Sequence, residues 1–294
     1  MTAIAGKAGG MMKRAAARRR FDPLALLAIP AAAYFVVALV VPLGRLLLDG
    51  FSDGDGVGIG NFTRYLADPY NLGVVWNTLR YGALVTFVAA IGGYAYAYTM
   101  ARSGPKMQML LLIAIVLPMT TSVIVKSFGW LVLLRSNGLV NHLLMLFGLT
   151  REPLPLLFSQ PGLIVGTASI LLPYMVLPIF GVLRQIHPDL LGAAATLGGS
   201  PVYCFRKVIL PLSLPGLIAG ICFVFSMAVS AYVIPSLLTG AGFKTLSKVA
   251  ADSYLVILNP VRGATVSLIL LVIAFAAVFL AGRVVNRKPG QVRA

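Results

Sequence analysis

Along this chain apolar residues do not alternate with polar ones; they come in long runs set between charges. Stretches free of Asp, Glu, Lys and Arg cover 23–44, 81–101, 107–125, 153–183, 208–243 and 263–282, each with 19 residues or more. At ~1.5 Å of rise per residue, such a run lets an α-helix cross a hydrocarbon layer of ~30 Å. The pattern therefore predicts an all-α polytopic membrane protein with about six transmembrane helices. An even number of spans puts both termini on one side. The stretch 136–150 is shorter and carries Asn137, Asn141 and His142, so an interfacial or re-entrant helix is expected there. Between 49 and 79, the Gly/Asp-rich segment Ser52–Gly60 predicts a turn-forming loop. Asn61–Leu66 then predicts a short helix on the outer membrane face.

Composition agrees. Apolar residues make up 59% of the 294, and charged residues only 11%. A water-facing globular surface usually needs about 25% charged residues, so a soluble domain is excluded. The formal net charge of +16 raises nucleic-acid binding, but the cations sit at the chain ends and in short loops, not on one folded basic surface. Lys7, Lys13, Arg14, Arg18, Arg19 and Arg20 precede the first run; Arg283, Arg287, Lys288 and Arg293 follow or close the last. With the N-terminus cytoplasmic, Arg102, Lys106, Arg184, Arg206 and Lys207 also fall inside, making 15 of the 24 Lys and Arg residues. That asymmetry follows the positive-inside rule. Arg18-Arg19-Arg20-Phe21 resembles a twin-arginine export signal, but the apolar run after it is too long for one and continues through Pro42, so a retained first span is expected. The expected organisation is a basic cytoplasmic tail (1–22), a transmembrane domain (23–285) and a cytoplasmic C-terminal tail (286–294), in the cell inner membrane.

The acids are Asp22, Asp49, Asp53, Asp55, Asp68, Glu152, Asp189 and Asp252, and none falls within an expected span. Secondary transporters commonly use intramembrane Asp, Glu or His as ion relays. No such relay exists here, although sodium coupling through unwound backbone carbonyls remains open. A G-x-x-x-x-G-K-[S/T] sequence is also missing, so the chain has no phosphate loop of its own for ATP. His142 and His187 are isolated, Cys204 and Cys222 suggest no disulfide, and no Cys/His spacing suits a metal. No catalytic residue and no cofactor is expected. A transporter without either device must draw its energy from another subunit; the alternative is a self-sufficient secondary transporter or channel.

The loop between the fourth and fifth spans, 186–212, carries the sharpest pattern. Asp189 is suited to N-cap a first short helix, and Gly198-Gly199 to end it, since glycine adopts a left-handed conformation without strain. Ser200-Pro201 reads as N-cap and first position of a second short helix. Pro211 and Pro215 then mark the start of the fifth span. Here the chain resembles the permeases of binding-protein-dependent ABC importers. Their cytoplasmic loop carries Glu-Ala-Ala, three residues, Gly, nine residues, then Ile-x-Leu-Pro. Ala193, Ala194, Gly198, Leu210 and Pro211 match, Val208 stands in for Ile, and Gly192 occupies the glutamate position. Asn77-Thr78-Leu79, Trp130 with Asn137-Gly138 and Asn141, and Pro173-Tyr174 extend the likeness over roughly 23–285, best towards permeases for polyamines, ferric iron and related small solutes. The resemblance implies a type I ABC importer permease fold, with Gly192, Ala193, Ala194, Gly198, Leu210 and Pro211 coupling to the ATPase. It also implies a second homologous permease, two cytoplasmic ATPase subunits and an extracytoplasmic solute-binding protein as partners, besides the lipid bilayer, and a polyamine-like substrate.

Polar groups inside the apolar runs are few. Tyr174, Ser226, Ser230 and Tyr232 either line a translocation path or bond between helices, and the residues alone leave both open. Gly216 and Gly220 form a small-xxx-small pair, expected at a close helix contact. Pro118, Pro173 and Pro178 either kink their spans as gates or form tolerated packing kinks, and the residues alone leave both open.

Overall fold

The computed structural model describes residues 23–53, 56–196, 198–240 and 242–286; the expected N-terminal tail, 1–22, and the expected C-terminal tail, 286–294, apart from Asn286, lie outside this set. The chain divides after Leu48 into two units. In the first, helix α1 (Pro23–Phe51, its last turn in the second unit) contains Pro30 and Pro42. Its side chains from Tyr34 to Val41 are largely exposed, an apolar surface on every side, as a helix in lipid presents.

The second unit begins with a tiny hairpin, β1 (Ser52–Asp53) paired antiparallel to β2 (Gly56–Val57), followed by helix α2 (Gly60–Ala67). Helix α3 (Pro69–Arg102) starts twelve residues before the charge pattern suggests. The reason is local: Asp68 N-caps it, accepting from the Tyr70 N–H at 2.9 Å, and Pro69 needs no hydrogen-bond partner at the first position. The expected third span is broken. Helix α4 (Pro105–Val116) tightens into a turn at Leu117–Thr120, and α5 (Val123–Leu133) leaves at 104°. Pro118 has no N–H for the carbonyl four residues earlier, and Ser122 instead caps the new helix through the Ile124 N–H at 3.3 Å. Helix α6 (Leu139–Leu146) follows. Fully buried Asn141 binds its surroundings: its Nδ2 donates to the Arg135 and Leu154 carbonyls, and its Oδ1 accepts from the Leu154 N–H.

Helix α7 (Gln160–Leu183), helix α8 (Pro188–Thr196), helix α9 (Pro201–Cys204), a π turn (Phe205–Ile209) and helix α10 (Leu210–Ser230) come next. The expected 208–243 run is interrupted at Ala231–Tyr232; α11 (Val233–Leu238), α12 (Leu246–Leu255) and α13 (Pro260–Asn286) complete the described chain. Among the described residues, five helices are long and apolar enough to span a membrane, or six when the bent α4–α5 pair is counted as one span.

The core lies where α3, α7 and α10 meet, around Val85, Ala89, Met175, Val176, Ile179 and Val224. Small residues let the backbones approach. A Cβ on Gly93 would lie 2.6 Å from Met175, one on Gly220 2.7 Å from the Met175 sulfur, and one on Gly216 2.7 Å from the Pro178 carbonyl. The small-xxx-small pair is thus a helix contact, as expected. These meetings also give direction: α3 and α7 run parallel, α10 antiparallel to them. The C-terminal ends of α3 and α7 therefore share one end of the bundle with α8, while the starts of α3 and α13 lie at the other. Buried hydroxyls link the helices: Tyr81 Oη to Thr167 Oγ1 at 2.8 Å and Tyr94 Oη to Ser213 Oγ at 2.7 Å.

Candidate functional site

The α8 segment is built by its two ends. Gly198 has φ +82°, and the Gly199 N–H reaches back to the Ala194 carbonyl at 3.0 Å. This is a Schellman turn, in which the second residue past the helix closes a 6→1 bond. Each glycine has its own reason. Gly198 meets the left-handed φ, whereas a Cβ on Gly199 would stand 2.7 Å from the Ala194 oxygen. The other end differs from expectation. Asp189 lies inside the first turn, and the group before Pro188 is His187, whose Nδ1 sits 3.4 Å from the Asp189 N–H and 3.1 Å from its Oδ2. His187 is therefore not isolated.

Past the turn, Ser200 caps α9 as expected, accepting from the Tyr203 N–H at 3.2 Å, with Pro201 next. The second element is not a separate short helix, however. It runs through the π turn straight into α10, so the fifth span begins at Pro201. Pro211, lacking an N–H and crowding the preceding turn, sits just past that widened stretch, where such bulges relieve strain. Phe205 inside the π turn stacks edge-on against both Tyr94 and Tyr98 of α3, at 5.8 and 5.4 Å. The segment's start is thereby tied to α3. Nothing in the sequence marks that aromatic triad, because its members lie a hundred residues apart.

The segment shows apolar groups outward. Leu190 is about half exposed and Val202 and Tyr203 more than half, Gly192 and Gly198 are exposed, and Ala194, Leu210 and Pro211 are partly covered. Ala193 lies in the same helix. A recess of about 540 Å³ beside it is lined by Ser200, Val202, Tyr203, Arg206, Lys207 and Leu210. A Cβ at Gly192 meets nothing within 4 Å. The face is small-residued, apolar and edged by cations, which suits a protein partner better than water.

The four candidate pathway residues do not form one cluster. Tyr174 packs partly buried against the core beside Met175. Ser226 and Ser230 are one turn apart on α10, six or more residues beyond Gly220, or ~9 Å along the helix. Ser230 is exposed at the helix end, and Tyr232 is exposed just past it. Ser226 is unusual, since its buried Oγ has no hydrogen-bond partner. Thr78, Thr86 and Ser127 by contrast return their hydroxyls to the carbonyl four residues back.

A family profile described as "Binding-protein-dependent transport system inner membrane component" matches residues 93–288, from the Gly93–Met175 contact through α8 to the end of α13. The chain belongs to this family. It is the transmembrane permease subunit of an ABC importer, a multi-pass inner-membrane protein. The permease is 31% identical over 265 residues to the spermidine/putrescine transport system permease protein PotB of Haemophilus influenzae, covering 87% of this chain and 92% of that one. To PotB of Escherichia coli it is 29% identical over 233 residues, 78% of this chain and 84% of that one. To the inner membrane ABC transporter permease protein YdcU of Escherichia coli it is 36% identical over 194 residues, 61% of each. Its fold matches the crystal structure of a bacterial ABC transporter involved in import of the acidic polysaccharide alginate, with a TM-score of 0.72 at 17% identity, covering 90% of this chain and 96% of that one.

Proposed function

We propose that this permease imports a polyamine-like organic cation. It would work with a second homologous permease, two cytoplasmic ATPases and an extracytoplasmic solute-binding protein, with both of its own termini cytoplasmic. The substrate reading rests on the 31% likeness to PotB over most of both chains. In the coupling reading, α8 with its Schellman end docks in a groove of an ATPase, and Leu190, Val202 and Tyr203 are the apolar groups covered there. ATP-driven closure of the ATPases moves α8. The Phe205–Tyr94–Tyr98 contact and the continuous α9–α10 helix carry that movement into α3 and α10, which open the pathway outward. Hydrolysis returns the inward-facing state. A domain of residues 23–285 with its coupling loop at 186–212 is the unit that does this.

The long helices α3, α7, α10 and α13 contain no Asp or Glu, so a cation passing among them would meet hydroxyls, aromatic faces and carbonyls. The test is ATP-dependent uptake by the assembled transporter in proteoliposomes. Binding-protein-dependent accumulation of spermidine or putrescine supports the proposal. Uptake driven by an ion gradient without ATP would favour a secondary transporter instead.

A further inference from the structure

At the end of the bundle opposite α8, a second recess of about 390 Å³ lies between α2, the start of α3 and the start of α13. Its volume is within the ~300–1,000 Å³ range of small-ligand pockets. It is lined by Arg64, Tyr65, Asn71, Asn259 and Arg262 among others. Two of these side chains are more than nine-tenths buried and carry a polar atom with no partner: the Tyr65 hydroxyl and the Asn71 Oδ1. The Asn71 amide is oriented by its neighbour, because its Nδ2 donates to Asp68 Oδ2 at 3.2 Å. Its Oδ1 is therefore the unpaired acceptor of a side chain that lines the recess. Burial pushes the Tyr65 phenol up to about 12, the Arg262 charge pulling the other way, so at neutral pH it is an O–H. Leaving such buried groups unpaired costs about 1–3 kcal/mol each, and each one in a folded protein calls for an explanation.

The recess thus offers two guanidinium groups and a phenol for an anion, and an acceptor for a hydroxyl or other donor. Its setting indicates where that ligand comes from. Arg262 immediately precedes the uncharged run 263–282, so it lies where a span leaves the hydrocarbon. Exposed Tyr70 and Trp76 flank Asn71 on α3, the aromatic composition found at headgroup level. The residues leading to Asn259, Leu255 to Leu258, expose four consecutive apolar side chains, which water disfavours and acyl chains accept. We propose that this recess binds the headgroup of an anionic phospholipid carrying a free hydroxyl, of the phosphatidylglycerol type. The phosphodiester sits between Arg64, Arg262 and the Tyr65 O–H, and the glycerol hydroxyl donates to Asn71 Oδ1.

The test is native mass spectrometry of the assembled transporter, offered phosphatidylglycerol, phosphatidylcholine, phosphatidylethanolamine or free glycerol phosphate. Preferential retention of phosphatidylglycerol is expected, with one fewer adduct per permease copy in Tyr65→Phe and Arg262→Gln. Both variants should keep the wild-type melting temperature in phosphatidylcholine nanodiscs, and Tyr65→Phe keeps the buried ring if Arg262→Gln folds poorly. Equal retention of the zwitterionic lipids overturns the proposal, as does unchanged retention in Tyr65→Phe. Displacement of the adduct by glycerol phosphate would make the ligand a soluble phosphate ester, and a loss confined to binding-protein docking would make the recess a protein contact; either result overturns it too.

Discussion

The Gly199 N–H and the Ala194 carbonyl, 3.0 Å apart, close the helix that this permease presents at the end of its bundle. The bond exists because Gly198 takes a φ of +82°, which costs an ordinary L-residue roughly 1–2 kcal/mol. The signature glycine is thus a backbone device that ends α8 and aims the chain at Ser200.

Gly198→Gln should therefore abolish transport and lower substrate-stimulated ATPase activity while leaving membrane insertion intact. Gly198→Asn, which tolerates the left-handed region, should retain most of both. Equal loss in the two variants would mean that space, not φ, matters at this position.

Gly192 stands where the family's signature has glutamate, and a side chain there has open room. Gly192→Glu should fold normally and leave the transporter's melting temperature unchanged. If the acid contacts the ATPase, the variant should raise coupled ATPase activity. Uptake and ATPase assays on the same proteoliposomes read both effects.

Thr78 joins α3 to α12: its Oγ1 accepts from the Leu246 N–H at 2.9 Å and donates to the Val74 carbonyl at 2.8 Å. Thr78→Val keeps the shape but leaves a buried N–H unpaired, at a cost of about 1–3 kcal/mol. A lower melting temperature is expected for Thr78→Val and a near wild-type value for Thr78→Ser.

The spans were legible because a run of 19 uncharged residues has few other solutions in a membrane. The α8 turn was legible too, since Gly-Gly-Ser-Pro names its own backbone conformations. What stayed hidden depends on tertiary context. The 104° break after Thr120 needs Pro118 and Ser122 together, and the Phe205–Tyr94–Tyr98 triad joins residues far apart in the chain. The recess at Tyr65 and Asn71 escaped because polar residues outside a span look like ordinary loop surface. Asp68-Pro69 is a helix-start signal carried by cap chemistry and not by the spacing of charges.

Substrate selection should rest with the binding protein. Cation–π contacts contribute roughly 0.5–2 kcal/mol each, whereas micromolar binding needs ~8 kcal/mol. Calorimetry on the assembled transporter without its binding protein should find no micromolar polyamine affinity. Such affinity, lost in Tyr174→Ala or Tyr232→Ala, would place a selectivity site in the membrane domain.

The claim that α8 is the contact with the ATPase is tested most directly by cross-linking. Leu190 is half-exposed on that helix, and a Leu190→Cys variant with Cys204 and Cys222 replaced by Ser offers a single thiol there. The expected result is a cross-link to the ATPase subunit whose yield changes on ATP binding, with no labelling by a membrane-impermeant thiol reagent added outside intact cells. Labelling from outside, with no ATPase cross-link, would contradict the account.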